Sequence, residues 1–144
     1  MKICMIGSGY VGLVSGTCFA ELGNNVICVD NNLNKISNLK KGVIPIYEPG
    51  LEELIIRNLK QKRLQFSSNI SESIKKSDLI FICVGTPTNP KSNQADLKYV
   101  YQVLKDIKKN LNKYKIIVTK STVPVTTGDK IQNLLTTKNN KKLF

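Results

Sequence analysis

The sequence predicts an α/β fold on a parallel, doubly wound sheet, and three observations carry that expectation. Short apolar runs alternate with helix-period segments along the chain, and parallel neighbours need such crossovers. The first run, Lys2-Ile-Cys-Met-Ile6, enters a helix through Gly7-Ser-Gly-Tyr-Val-Gly12, whose glycines have G-x-G-x-x-G spacing. The run Leu79-Ile-Phe-Ile-Cys-Val84 is apolar throughout, as a strand covered on both faces would be. At 144 residues the chain has room for one domain with a real core, expected over residues 1–144.

After the strand at 2–6 and the glycine turn, Tyr10 to Leu22 carries Val11, Val14, Cys18 and Leu22 at helical spacing, and Gly23-Asn24 closes it as a C-cap. Val26 to Asp30 is the second strand. From Asn32 to Lys41 the apolar positions Leu33, Ile36 and Leu39 predict a short helix that stops at Gly42. Residues 43–50 cannot be regular helix, because Pro45 and Pro49 each push the preceding residue to an extended conformation. A helix from Leu51 to about Lys62 follows, then a short edge strand at Leu64-Gln-Phe-Ser67. Next comes a helix from Ile70 to Lys76 that Asn69 or Ser68 could cap. The stretch from 43 to 62 is more than a minimal crossover needs.

The strand at 79–84 runs into a loop rich in Pro and Thr that reaches Gln94. A helix starting at Asp96 is expected to turn Leu97, Val100, Val103, Leu104, Ile107 and Leu111 inward. Lys115 to Thr119 is the next strand, and Pro124 suits the first turn of a helix reaching about Leu135. Lys141 to Phe144 looks like the opening of a sixth strand. The expected architecture is thus Rossmann-like, with order 3-2-1-4-5-6 and the sixth strand truncated, and ligands bind such sheets at the carboxyl ends of the strands.

Those ends gather the candidate residues. Gly7 allows a tight turn, Gly9 lets a pyrophosphate approach the backbone, and Gly12 lets helix and strand pack closely. The helix N-terminus starting at Tyr10 and Val11 offers unpaired N–H groups to the phosphates. Asp30, about 20 residues on, can accept from both ribose hydroxyls and disfavours a 2′-phosphate, which points to NAD; Lys35 nearby weakens that preference. Val84-Gly85-Thr86-Pro87-Thr88 and Lys120-Ser121-Thr122 complete the crevice, their hydroxyls suited to a ribose, an amide or a water, or else to capping and turns.

Composition excludes several other classes. The net charge of +12 is spread along the chain, nearly all of it lysine, so solvated faces are expected rather than a nucleic-acid surface. No run approaches the ~18 apolar residues of a membrane span, and Met1-Lys2 leads directly into a strand without a signal peptide; a cytoplasmic location is the default expectation. With no histidine and no Cys-x-x-Cys pair, Cys4, Cys18, Cys28 and Cys83 read as buried free thiols and no metal site is expected.

Five segments in order carry a family resemblance: Gly7 to Gly23, the strand ending in Asp30, Ile46-Tyr-Glu-Pro-Gly-Leu51, Val84 to Thr88, and Lys120-Ser-Thr-Val-Pro-Val125. Together they resemble the N-terminal NAD-binding part of the UDP-glucose 6-dehydrogenases. The wider group includes the GDP-mannose and UDP-N-acetylmannosamine dehydrogenases. The resemblance implies oxidation of the sugar C6 alcohol to a carboxylate with two NAD, and homo-oligomers for the full-length enzymes. It implies that Val11, Asp30 and Lys35 contact the adenosine half of NAD, Thr86 and Ser121 the remainder, and that Thr122 helps hold a catalytic water. It places the family's Asn-Pro-Glu-Phe-Leu motif, its substrate-binding lysine and asparagine and its nucleophilic cysteine beyond position 144, together with the central helix and the sugar-nucleotide domain. Cys83 lies in an apolar strand with no activating neighbour in sequence, so it is not expected to replace that nucleophile. The chain alone is expected to be inactive. Open alternatives are a noncatalytic remnant, one half of a split enzyme, or a dehydrogenase of another sugar nucleotide. The 46–51 loop has no derivable role beyond packing the inserted helices.

Overall fold

The computed structural model describes residues 1–90 and 93–136. Five parallel strands, β1 (Lys2–Ile6), β2 (Asn25–Val29), β3 (Leu64–Ser67), β4 (Leu79–Ile82) and β5 (Ile116–Thr119), lie in the order β3-β2-β1-β4-β5. Among the described residues five helices lie between them, α1 (Tyr10–Glu21), α2 (Leu33–Lys40), α3 (Leu51–Lys60), α4 (Ile70–Lys76) and α5 (Lys98–Asn110), and α6 (Thr127–Leu135) follows β5. The expected doubly wound topology is present over these five strands. The sixth strand expected at 141–144 falls outside the described residues.

Side-chain alternation along the strands divides the core in two. Ile3, Met5, Val26, Cys28, Leu64 and Phe66 face one side with Leu13, Ile36 and Ile55 from the first three helices. Cys4, Ile6, Val29, Ile80 and Ile82 face the other with Ile74, Leu104 and Ile131 from α4, α5 and α6. A side chain buried on either face contributes roughly 1.5–3 kcal/mol.

Boundaries differ from expectation where a residue has a local partner outside the element. β2 ends at Val29 and β4 at Ile82, one and two residues early, although Asp30 N still donates to Ser67 O and Cys83 N to Ile6 O. α5 begins at Lys98 rather than Asp96, whose carboxylate instead accepts from the Lys98 N–H. Pro124 is not in α6: the helix starts at Thr127, after Thr126 adopts a left-handed φ of 73°. Asn69 caps α4 by accepting from Glu72 N, and Asn32 caps α2 by accepting from Lys35 N.

The insertion is docked by a polar cluster. Buried Asn58 of α3 donates to Glu21 of α1 and to Leu54 O, each at 2.8 Å, and accepts from Arg63; Arg57 also pairs with Glu21. A buried amide with its groups satisfied fixes one packing of α3 on α1. Lys115, expected in β5, precedes it and is fully buried. Its ammonium donates to Ser77 O at 2.5 Å and Lys75 O at 3.3 Å, satisfying carbonyls left over at the end of α4.

Candidate functional site

Strand register aligns the carboxyl ends. Ile6 is level with Val29 and Ile82, Val29 with Ser67, and Ile82 with Thr119. Gly7, Asp30, Ser68, Cys83 and Lys120 are therefore the first residues above one edge, and the first four line a cavity of about 450 Å³.

The three glycines of the turn are explained by different things. Gly7 has a φ of 105°, and a Cβ there would lie 2.6 Å from Cys83 O. A Cβ on Gly12 would lie 1.9 Å from Gly7 O and 3.1 Å from the Cys83 Cβ, so α1 approaches the turn as closely as it does only because the residue is glycine. Gly9 differs: its φ is −73°, and a Cβ would meet no protein atom within 4 Å. Nothing in the chain requires glycine there, and Gly9 lines the cavity at the N-terminus of α1. Open space over unpaired helix amides is a cradle for an anion. In the same turn the Ser8 hydroxyl is buried and has no hydrogen-bond partner among the described residues. Both observations fit a phosphate-bearing ligand.

Asp30 stands at the end of β2 with its carboxylate held on three sides. Oδ2 accepts from Ser8 N at 3.1 Å and from Lys35 Nζ at 2.8 Å, while Oδ1 accepts from Asn32 N at 3.0 Å. Burial pushes its pKa up, but the hydrogen bonds from Lys35, Asn32 and Ser8 and the Lys35 charge outweigh it, leaving the carboxylate below its usual range. It is thus an ionised acceptor on the cavity wall.

The other expected site residues are distributed unequally. Gly7, Gly9, Asp30, Lys35, Val84 and Gly85 line the cavity. Tyr10 and Val11 are exposed on the first turn of α1, and Gly12 is buried beneath it. Ser121 donates to Val84 O at 2.7 Å and Ile82 O at 3.2 Å, so its hydroxyl braces the end of β4. Thr122 is exposed beside it. Thr86 and Pro87 follow Gly85, and Thr88 pairs with Ala95 in an isolated bridge; Asn89 N donates to Gln94 O, and Asp96 N to Pro87 O, closing the loop on itself. Cys83 is buried and its thiol is pushed up to about 11 by desolvation, only partly offset by Lys120.

Sequence reasoning missed the remaining lining. Asn31, Ser68, Ile70, Tyr99, Gln102, Val103 and Asp106 all face the cavity. Of these, Val103 was expected only as core. It also missed a tie across the 43–50 loop, where the Tyr10 hydroxyl donates to the Glu48 carboxylate. Ile44 and Ile46 of that loop pack on the core, as its assumed packing role requires, whereas Tyr47 is 90% exposed. Among the described residues no helix is long and apolar enough to cross a membrane.

Comparison with known proteins follows the same lines. A profile described as "UDP-glucose/GDP-mannose dehydrogenase family, NAD binding domain" matches residues 1–144. The chain is 55% identical to UDP-glucose 6-dehydrogenase TuaD of Bacillus subtilis over 93% of its own length and 29% of that protein. It is 51% identical to a UDP-glucose 6-dehydrogenase of Rhizobium meliloti over 94% of its length and 31% of that protein. The structure superposes on a GDP-mannose dehydrogenase of Pseudomonas aeruginosa with a TM-score of 0.88 at 34% identity, covering 94% of this chain and 32% of that one. A UDP-glucose dehydrogenase of Pyrobaculum islandicum gives 0.84 at 35% identity, with 92% and 32% covered. The chain spans about 30% of the length of the curated relatives it matches.

Proposed function

Because this chain belongs to the UDP-glucose/GDP-mannose dehydrogenase family as its NAD-binding domain, we propose that it holds NAD in the cavity above Ile6, Val29 and Ile82. In this reading it serves an enzyme that oxidises the C6 alcohol of UDP-glucose to the carboxylate. The observation that carries the reading is Gly9, a glycine that the protein's own packing does not require, at a helix N-terminus facing the cavity.

The residues divide the work as follows. The amides after Gly9 meet the pyrophosphate, with Tyr10, Val11 and Gly12 forming the first turn of the helix that supplies them. Asp30 accepts from the ribose hydroxyls, and Lys35, now paired with Oδ2, gives up part of that contact to them. Thr86, Pro87 and Thr88 border the other half of the dinucleotide, with Val84 and Gly85 lining the cavity that both halves share. Ser121 spends its proton on Val84 O and Ile82 O and keeps lone pairs to accept from an amide N–H. Thr122, exposed beside it, positions a water. NAD supplies the hydride acceptor. The nucleophile and the sugar-binding groups come from outside these residues: Cys4, Cys28 and Cys83 are buried with raised thiol pKa values, and Cys18, exposed on α1 against the expectation of burial, is not among the residues lining the cavity.

UDP-glucose is favoured over other sugar nucleotides because the relatives at 55% and 51% identity are UDP-glucose 6-dehydrogenases. Amide-resolved NMR titration of the chain with NAD tests the cofactor site. Binding that perturbs residues 7–12 and 30–35, weakened by Asp30→Ala, is expected; equal affinity in wild type and Asp30→Ala refutes the assigned ribose contact. A chimera in which this chain replaces the matching segment of the Bacillus subtilis enzyme tests the reaction. NADH formation with UDP-glucose is expected, and a folded, NAD-binding chimera without turnover would favour a noncatalytic nucleotide-binding role.

A further inference from the structure

The wall of the cavity opposite the glycine turn is α5, and a hydrogen bond to α4 marks its height above the sheet. Ser71 Oγ, in the first turn of α4, donates to Asn110 Oδ1 at 2.5 Å, placing the last residue of α5 level with the start of α4. α5 begins above that level and descends towards β5. At 1.5 Å per residue, Asp106, Gln102 and Tyr99 stand about 6, 12 and 16 Å above Asn110 along the helix axis. Each lines the cavity. They form a polar flank beside the buried stripe of Val100, Val103, Leu104 and Ile107.

The chemistry of this wall is specific. Apolar surface comes from Ile70, Val84 and Val103. Asp106 adds a carboxylate whose only side-chain hydrogen bond among the described residues is a long one, 3.5 Å from Gln102 Nε2 to Oδ2. No ion pair to Asp106 is present among the described residues, in a chain with 22 Lys and Arg against 10 Asp and Glu. Apolar faces with one open acceptor at the edge suit a planar aromatic ring carrying an amino group. Tyr99, 52% exposed, offers its ring at the upper end of the wall.

We propose that α5 reads the base of the dinucleotide. Asp106, steadied by Gln102, accepts from the exocyclic amine of a 6-aminopurine and disfavours a 6-oxopurine, whose carbonyl would face the carboxylate. Tyr99 covers the base without distinguishing the two. This inference rests on the NAD reading of the same cavity. A hydrogen bond to a charged acceptor in a partly solvated pocket supports a preference of about tenfold or more.

The test is titration of the whole chain with NAD and with nicotinamide hypoxanthine dinucleotide, which differ in the purine 6-substituent and in the proton that hypoxanthine carries on N1. Wild type is expected to favour NAD by about tenfold. Asp106→Asn, whose amide can also donate to a 6-oxo group, should bring the ratio to about one. Tyr99→Leu should weaken both ligands and leave the ratio unchanged, because stacking is tolerant of the base. Equal wild-type affinity for the two ligands, or a preference that survives Asp106→Asn, overturns the inference while leaving NAD binding intact. A ratio that changes in Tyr99→Leu overturns the division of labour. Failure of either dinucleotide to bind refutes the cofactor site itself.

Discussion

Replacing Gly9 and Gly12 separately by alanine should divide stability from binding. At Gly12 the new Cβ would sit 1.9 Å from Gly7 O, a backbone atom that cannot rotate away. Relieving that overlap moves α1 more than 1 Å off the turn. Overpacking of a fixed interior typically costs about 1–3 kcal/mol, and a clash this close belongs at or above the upper end. With an unfolding entropy of about 0.3 kcal/mol/K for a chain of this size, 3 kcal/mol lowers Tm by about 10 °C. At Gly9 the φ of −73° is open to alanine and the Cβ meets nothing within 4 Å. Loss of a favourable N-cap residue costs roughly 0.5–1 kcal/mol, about 2–3 °C. Its effect on NAD is larger. Displacing one charge-assisted phosphate contact costs about 2–3 kcal/mol, on the order of 30- to 150-fold in Kd. Thermal denaturation followed by circular dichroism gives the first quantity and NMR titration well below Tm the second. A Gly9→Ala chain that binds NAD like wild type refutes the pyrophosphate assignment. A Gly12→Ala chain within about 3 °C of wild type refutes the packing argument.

Acid should weaken the fold partly through Asp30. Its folded pKa lies below the usual value of 3.8, so its contribution is complete above that pH and is lost as pH falls through the lowered folded value; urea midpoints measured from pH 5 downwards should fall less steeply in Asp30→Asn. Lys115 works in the opposite range. Burial lowers its pKa, so the unfolded chain binds more protons between the lowered value and 10.5, and stability gains a component that rises with pH across that window; Lys115→Met should remove this rise on the acid side of 10.5, read from urea midpoints. Tyr10→Phe deletes the hydroxyl that donates to Glu48, so amide hydrogen exchange over residues 43–50 should accelerate about two- to tenfold while exchange in β1 and β4 stays unchanged.

The sequence made the glycine turn and Asp30 legible because their signals are local. A strand, three spaced glycines, a helix and a strand ending in a carboxylate lie within 30 residues, and each glycine has a distinct steric meaning. Strand order was legible for a related reason: every helical crossover demands a parallel neighbour. What was not legible is how hydroxyls are spent. Ser121 looks in sequence like any donor near a crevice, yet backbone carbonyls of Val84 and Ile82 already use its proton. Lys115 reads as one more solvated lysine, and only the uncapped carbonyls at the end of α4 explain why it is buried. Glu48 is equally silent, because its partner Tyr10 is 38 residues away.

The α5 wall was hidden for a deeper reason. Helical periodicity separates an inner stripe from the rest, and it placed Val100, Val103, Leu104 and Ile107 inward. It assigns everything else to solvent. Whether Tyr99, Gln102 and Asp106 meet water or a cavity depends on how far the helix rises above the sheet, and that height is marked by contacts distant in sequence, among them Ser71–Asn110, which spans 39 residues. A helix slid down by one turn would carry Asp106 about 5.4 Å towards the middle of the sheet, away from the level of the strand ends, with no change in its hydrophobic pattern. Vertical register between a helix and a sheet is therefore information that one-dimensional periodicity cannot hold. In this chain it determines whether a carboxylate lies on a solvated helix face or beside Asp30 and Gly9 in one cavity.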